Sequence, residues 1–346
     1  MRKKILLFLL LLSGCAGYPD EYLDSLNLSE RHLSPSEIID LEQSGILLAT
    51  DLMVYGDWIA VKESQSANYV SLINYRNGDH FVLLRRGRGP GELISPEAFH
   101  GEASRLMMGD SGSNTFISVD IPCSVQLREA VIDTLFQSKN NLPINLRPIN
   151  DRFFLSSDMR FKDPFWYVLR DMEGSVLSSV SAPDYDVMKE MDLSHLLSFI
   201  ASSLFTINPE KDKVCAVMNP AAALSFSACI GSALQEYKRY EFNPPVIAKK
   251  GSSTAFSGEN FTNFGSAVSD ERYVYLLYSG KQLRDPNSSV PSYEADHLIV
   301  YDWGGNARFH FRMDHPSCGM YLYNHQLFCI STYPQSTLYI YNLPLL

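Results

Sequence analysis

Between positions 56 and 84 the chain reads Gly56-Asp57-Trp58-Ile59-Ala60-Val61, then Tyr69-Val70-Ser71-Leu72-Ile73-Asn74-Tyr75, then Asn77-Gly78, then Phe81-Val82-Leu83-Leu84. Short apolar runs rich in β-branched and aromatic residues, each bounded by turn residues, are strand signals. Asn77-Gly78 is a strong hairpin signal, because both residues tolerate the positive φ that a type I′ turn demands. The stretch therefore predicts three consecutive antiparallel strands.

The same order of turn, strand, strand, turn and strand recurs. A second clear copy starts at Asn150-Asp151, with Arg152-Phe153-Phe154-Leu155, Trp166-Tyr167-Val168-Leu169, Glu173-Gly174 and Ser175-Val176-Leu177. Others open at Asp212, at Asp270-Glu271 and at Asn324-His325, and a weaker one holds Leu106-Met107-Met108 and Phe116-Ile117-Ser118-Val119. The six openings fall about 46 to 61 residues apart, which is the length of a four-stranded propeller blade with insertions. A β-sandwich would also show many short strands but gives no reason for one signature to recur at blade length. The fold expected is all-β: a six-bladed β-propeller of four-stranded antiparallel blades over residues 45–346, with short helical insertions.

The last copy ends on Leu338 to Leu343 and is short of a strand. A strand from the N-terminal side would complete it and remove two exposed edges. The expected closing strand is Gly45-Ile46-Leu47-Leu48-Ala49. Before it, Ser34-Pro35-Ser36-Glu37 carries an N-cap, a proline at N1 and a capping-box glutamate, predicting a short helix over 35–43. Met188, Met191, Leu196, Ile200 and Leu204 recur about one turn apart, predicting a helical insertion over 186–204. The polar, Pro/Ser-rich stretch from Gly280 to Asp296 reads as a long hairpin loop.

The N-terminus carries an address. Arg2, Lys3 and Lys4 precede an unbroken apolar run from Ile5 to Leu12, far short of the roughly 20 residues that span a bilayer. Leu12-Ser13-Gly14-Cys15 then resembles the bacterial lipobox, in which the cysteine thiol is lipidated and becomes the new N-terminus. Residues 1–14 are thus expected to be a removable signal, Cys15 the lipid attachment site, and residues 15–44 a tether with one short helix. Ala16 after the cysteine carries no inner-membrane retention signal, so the expected location is the cell envelope, lipid-anchored at the outer membrane. Removing Arg2, Lys3 and Lys4 takes the formal charge from −10 to −13. No basic stripe remains, which excludes nucleic acid as a partner.

Cysteines read as two candidate disulfide pairs in an oxidising envelope. Cys215 and Cys229 flank the turn-like Asn219-Pro220-Ala221-Ala222, and Cys318 and Cys329 flank Asn324-His325; Cys123 is left over and expected to be a buried free thiol. The spacing fits no zinc pattern.

Directly after the first copy comes Arg85-Arg86-Gly87-Arg88-Gly89-Pro90-Gly91-Glu92-Leu93. This motif, with the lipobox, the length and the six repeats, resembles the TolB-like six-bladed β-propeller lipoproteins. The resemblance implies a six-bladed propeller with no assigned catalytic residues; no cofactor or metal is expected. Arg88 and Glu92 are the candidate binding residues, either paired across the turn or facing a ligand. Gly87-Arg88-Gly89 has the wrong spacing for a dinucleotide loop. Gly109-Asp110-Ser111-Gly112 echoes a serine-protease nucleophile loop, but no partner histidine stands in a recognisable context. His310 and His315 fall on opposite faces of one strand, which argues against a metal set with Asp314. Asp57, Asp151, Asp212 and Asp270 recur at repeat starts, as turn chemistry requires.

Two function classes stay open. One is a non-enzymatic binding or scaffold propeller for a glycan, peptide or protein partner. The other is an envelope hydrolase or lyase acting on glycans or peptides, which would gather carboxylates or histidines with shifted pKa values at the channel mouth.

Overall fold

The computed structural model describes residues 20–344, apart from 65–66, 90, 140–141, 158–164, 191–202 and 251–252. The chain starts with helix α1 (Glu21–Ser25), strands β1 (Glu30–Leu33) and β2 (Glu37–Asp40), and a 3-10 turn, Glu42–Ser44. The first blade is β3 (Ala49–Tyr55), β4 (Trp58–Glu63), β5 (Asn68–Asn74) and β6 (His80–Arg86), with the short β7 (Glu92–Leu93) parallel to β6. The second is β8 (Pro96–Glu102), β9 (Arg105–Asp110), β10 (Thr115–Asp120) and β11 (Ile132–Gln137), with α2 (Ile121–Leu127) before the last strand. The third is β12 (Arg147–Pro148), β13 (Phe153–Ser157), β14 (Phe165–Asp171) and β15 (Val176–Ser181); the fourth is β16 (Ser203–Ile207), β17 (Lys213–Met218), β18 (Ala222–Ile230) and β19 (Ala233–Phe242).

After a two-stranded hairpin, β20 (Ile247–Lys250) and β21 (Ser253–Phe256), comes the fifth blade: β22 (Phe261–Ser269), β23 (Tyr273–Gln282), β24 (Ala295–Asp302) and β25 (Ala307–Ser317). The sixth holds β26 (Gly319–Tyr323), β27 (Gln326–Ser331) and β28 (Thr337–Asn342).

Middle strands are covered on both faces by neighbouring blades, so they read as continuous apolar runs. Val214 to Met218 and Ala222 to Phe226 have almost no exposed surface, while β19 at the rim alternates exposed and half-buried positions. The core is correspondingly divided into six clusters, one per blade boundary. Met53, Leu72 and Met108 join blades one and two; Met107, Phe116 and Phe154 join two and three; Trp166, Tyr167 and Ala216 join three and four. Phe226, Phe264 and Tyr301 join four and five; Leu298, Phe311 and Tyr339 join five and six. Leu52, Val61, Phe328 and Ile340 join six to one, and the ring is closed.

An N-terminal strand does complete the last blade, but it is β2 and not 45–49. Ile38 faces Tyr339 and Ile39 faces Leu338 in antiparallel register, and the Ser36 N–H donates to Ile340 O at 2.7 Å. The expected helix over 35–43 is overridden by the open edge of β28, which satisfies the backbone of Ile38 and Ile39 as a ladder. What remains of the helical signal is the 3-10 turn, where the Asp40 carboxylate accepts the Glu42 N–H at 2.9 Å and Gly45 ends the turn at φ +79°. Ala49 opens the innermost strand of blade one. That innermost strand was missing from the three-strand signature in every copy.

Two other expectations change. Asp186–Glu190 is a 3-10 turn with Met188 in the core, Leu204 lies on β16 and not on a helix, and 191–202 fall outside the described residues. Residues 20–44, expected as a tether, are packed onto the propeller: Tyr22, Leu33 and Leu41 are buried, and β1 runs parallel to β25 along the outside of blade five.

Candidate functional site in the central channel

The innermost strands of all six blades surround a cavity of about 410 Å³ on the propeller axis. That volume falls in the range of small-molecule sites. Its wall is crowded, since a Cβ on Gly319 would stand 3.0 Å from Thr50 O where blades six and one meet.

Two carboxylates, two cations and a histidine line it: Asp51 on β3, His100 and Glu102 on β8, Arg147 on β12, and Lys211 after β16. Burial raises the Asp51 carboxyl pKa, while Lys62, the Leu52 N–H (2.9 Å) and Arg147 pull it back. Burial pushes His100 well below the usual histidine range, and the cations Arg147 and Lys211 reinforce this. Glu102 is ion-paired with Lys211. Burial also pushes Arg147 down to about 10, against the pull of Asp51 and Glu102, and its Nη1 is buried without a hydrogen-bond partner. A buried guanidinium donor without a partner is costly. Among the described residues no hydrogen bond joins His100 to Asp51 or Glu102.

The model of the TolB-like 6-blade propeller-like family matches residues 49–322, from the first innermost strand to the last. The chain belongs to the TolB-like propeller family. No curated protein matches it. Solved structures that resemble this TolB-like propeller include the calcium-binding protein regucalcin from Agrobacterium tumefaciens, 10% identical over 92% of this chain and 98% of that one, with a TM-score of 0.50. A putative exported protein from Bacteroides fragilis is 11% identical over 90% and 99%, with a TM-score of 0.44. BamB from Moraxella catarrhalis is 9% identical over 91% and 99%, with a TM-score of 0.41. At such identities the likeness is one of fold alone.

In this TolB-like propeller the candidate binding residues Arg88 and Glu92 are not among those that line the channel, whereas Cys318 is. Glu92 turns back on its own loop, accepting the Gly89 N–H at 2.7 Å, and a Cβ on Gly87 would overlap its carboxylate. The loop is therefore held by Glu92 with glycines as neighbours, and Arg88 is exposed and not paired with it. Cys15 lies outside the described residues.

The described cysteines are free. Cys229 stands opposite Asp212, three residues from Cys215, so the two side chains point to opposite faces of the blade. Cys329 faces Met320, which puts Cys318 on a diagonal of about 7–8 Å, beyond disulfide reach. Cys123, expected to be buried, is exposed on α2.

Asp110 of the protease-like tetrapeptide is buried turn chemistry. Burial would raise its pKa, but the Ser113 hydroxyl (2.6 Å) and the amides of Ser95 (2.6 Å), Ile94 and Gly112 hold it below the ordinary value. Asp270 caps its turn as expected, accepting the N–H groups of Arg272 and Tyr273. In the third and fourth blades Asn150 and Asn208 do this work in place of Asp151 and Asp212.

Asp51, His100, Glu102 and Arg147 were not legible in the sequence because they sit on the innermost strands, which the three-strand signature lacks. His315 stacks on Tyr339 at 4.5 Å and Asp314 accepts the Ser34 hydroxyl at 2.6 Å, while His310 meets His297 of the neighbouring strand.

Proposed function

We propose that this chain is an envelope lipoprotein whose propeller binds a carboxylate-bearing ligand in the central channel: an acidic glycan, or an acidic peptide or protein segment. The observation that carries the reading is Arg147, which lines a cavity of ligand size and whose buried Nη1 has no hydrogen-bond partner. A guanidinium fork matches a carboxylate in two parallel hydrogen bonds. A hydrogen bond to a charged group is worth about 1.5–3 kcal/mol. Arg147→Met should then weaken an oligogalacturonate or Glu-rich peptide probe by about 10-fold or more in calorimetry, with the ligand-free protein still melting cooperatively. A variant that melts much lower and binds as before would make Arg147 a structural residue and end the proposal.

A second reading, hydrolysis in the same channel, is favoured by one observation: Asp51, Glu102 and His100 do converge there, and burial raises the Asp51 pKa. It is ranked below binding because Glu102 is ion-paired and, among the described residues, no hydrogen bond joins His100 to either carboxylate. Turnover of the same probes that falls at least 100-fold in Asp51→Asn would reverse that order.

The anchor is part of the proposal. Cys15 and Asp20 are five residues apart, at most about 18 Å of extended chain. Asp20 accepts a hydrogen bond from Tyr278 of blade five at 2.9 Å. A lipid on Cys15 would hold the propeller close to the membrane on that side. A Cys15→Ser chain is expected in the soluble envelope fraction, and its persistence in washed membranes would exclude the lipid anchor.

A further inference from the structure

His297 on β24, His310 on β25 and Glu30 on β1 come together at the outer edge of blade five. His297 Nδ1 lies 2.8 Å from His310 Nε2, and Glu30 Oε2 lies 3.8 and 3.7 Å from these two atoms. Both histidines are buried, while Glu30 keeps 43% of its side-chain surface exposed. Tetrahedral zinc, bound at 2.0–2.2 Å by nitrogen and oxygen, places its ligand atoms about 3.3 Å apart. The three observed spacings bracket that value.

A second, independent feature points the same way. Asp296 Oδ1 is buried and makes no hydrogen bond; it is ion-paired with Lys281 Nζ at 3.7 Å and lies 4.0 Å from His297 Nε2, the ring nitrogen that faces away from the cluster. A histidine that ligates through Nδ1 carries its proton on Nε2 and donates it to a carboxylate, which fixes the tautomer and the ring. In the metal-free arrangement Arg312 Nη1 donates to His297 Nε2 at 2.5 Å, and Arg312 Nη2 pairs with Asp296 Oδ2 at 2.7 Å. With Nε2 accepting, the neutral His297 proton sits on Nδ1 and bridges to His310. A metal replaces that bridging proton, the proton moves to Nε2 and is donated in a hydrogen bond to Asp296 Oδ1, the Arg312 Nη1 bond to Nε2 breaks, and Arg312 keeps its bond to Asp296 Oδ2. Lys281, 3.7 Å from Asp296 Oδ1, is the other cation facing the site.

We propose that Glu30, His297 and His310 form a zinc site, with Asp296 orienting His297 and a water in the open position toward solvent. Two imidazoles and one carboxylate are a zinc donor set, unlike the all-oxygen shells of calcium and magnesium. Because the ligands come from β1 and from two strands of blade five, the ion clasps the N-terminal segment to the propeller.

The test uses tag-free full-length mature protein, stripped with EDTA, dialysed and titrated with ZnCl2 alone. One equivalent is expected to bind, to raise the melting temperature and to slow hydrogen exchange across 30–33. His310→Ala should abolish binding, and Asp296→Asn should weaken it by 10- to 100-fold. Should His310→Ala not fold, Glu30→Gln at the exposed ligand is expected to fold like the metal-free wild type and to lose at least 10-fold in affinity. Less than half an equivalent bound, binding unchanged in Glu30→Gln, or protection away from 30–33 would each overturn the proposal.

Discussion

A chain beginning at Gly45 is expected to accumulate as aggregate, whereas one beginning at Asp20 folds as a monomer. The sequence boundary of the propeller falls at Gly45, but the structure places the closing strand and much of its packing before it. Truncation removes the Glu37–Asp40 ladder and leaves β28, with Leu338 and Ile340, as an open apolar edge that recruits other chains. It also removes Leu41, whose N–H donates to Ser336 O at 3.0 Å, and the Arg76–Glu37 ion pair at 2.7 Å that ties the closing strand to blade one. The exposed ion pair adds little. The apolar part decides: burying Tyr22, Leu33 and Leu41 contributes about 1.5–3 kcal/mol each, which together rivals the 5–15 kcal/mol stability of a typical domain. Size-exclusion chromatography of the two chains at equal expression checks this, and a monomeric, cooperatively melting 45–346 chain would show that β2 is dispensable.

Sequence legibility followed burial. The middle strands were legible because they are covered on both faces and must be apolar throughout, as Val214 to Met218 are, so six copies emerged from the recurring order of turns and apolar runs. The innermost strands were not, because they line a polar channel: Asp51, His100, Glu102 and Arg147 break the apolar pattern on β3, β8 and β12. The same residues carry the candidate site, so missing the strand and missing the site were one error. The closing strand was misplaced because Ser34-Pro35-Ser36-Glu37 is a sound local helix signal, and only the β28 edge, some 300 residues away in sequence, outweighs it. His297 and His310 were unreadable as a pair for a related reason. Their juxtaposition depends on the register shift between Val300 and Tyr301, which sets His297 opposite Arg312 and so diagonal to His310.

Tyr22→Ala is expected to destabilise the protein by about 3–5 kcal/mol, the cost of removing a large aromatic side chain from a packed core. Tyr22 lies on the five-residue α1, too short to persist alone. It has no exposed surface, and its ring stands 4.6 Å from Tyr278, 5.3 Å from Phe264 and 5.7 Å from Phe242, in the cluster that joins blades four and five. Its hydroxyl meets that of Tyr301 at 3.0 Å. Asp20 caps the helix, accepting the Tyr22 and Leu23 N–H groups at 3.2 Å while also receiving the Tyr278 hydroxyl. Tyr22→Phe separates the contributions: it keeps the ring and leaves the Tyr301 hydroxyl without its partner, at about 1–3 kcal/mol. Urea unfolding of the wild type and both variants gives the two values. A peripheral tether would lose less than about 0.5 kcal/mol in either variant, as surface substitutions do. The larger loss, with Tyr22→Ala well below Tyr22→Phe, would mean that the residues joining the propeller to Cys15 are part of its core, so that whatever holds the N-terminus also orients the channel.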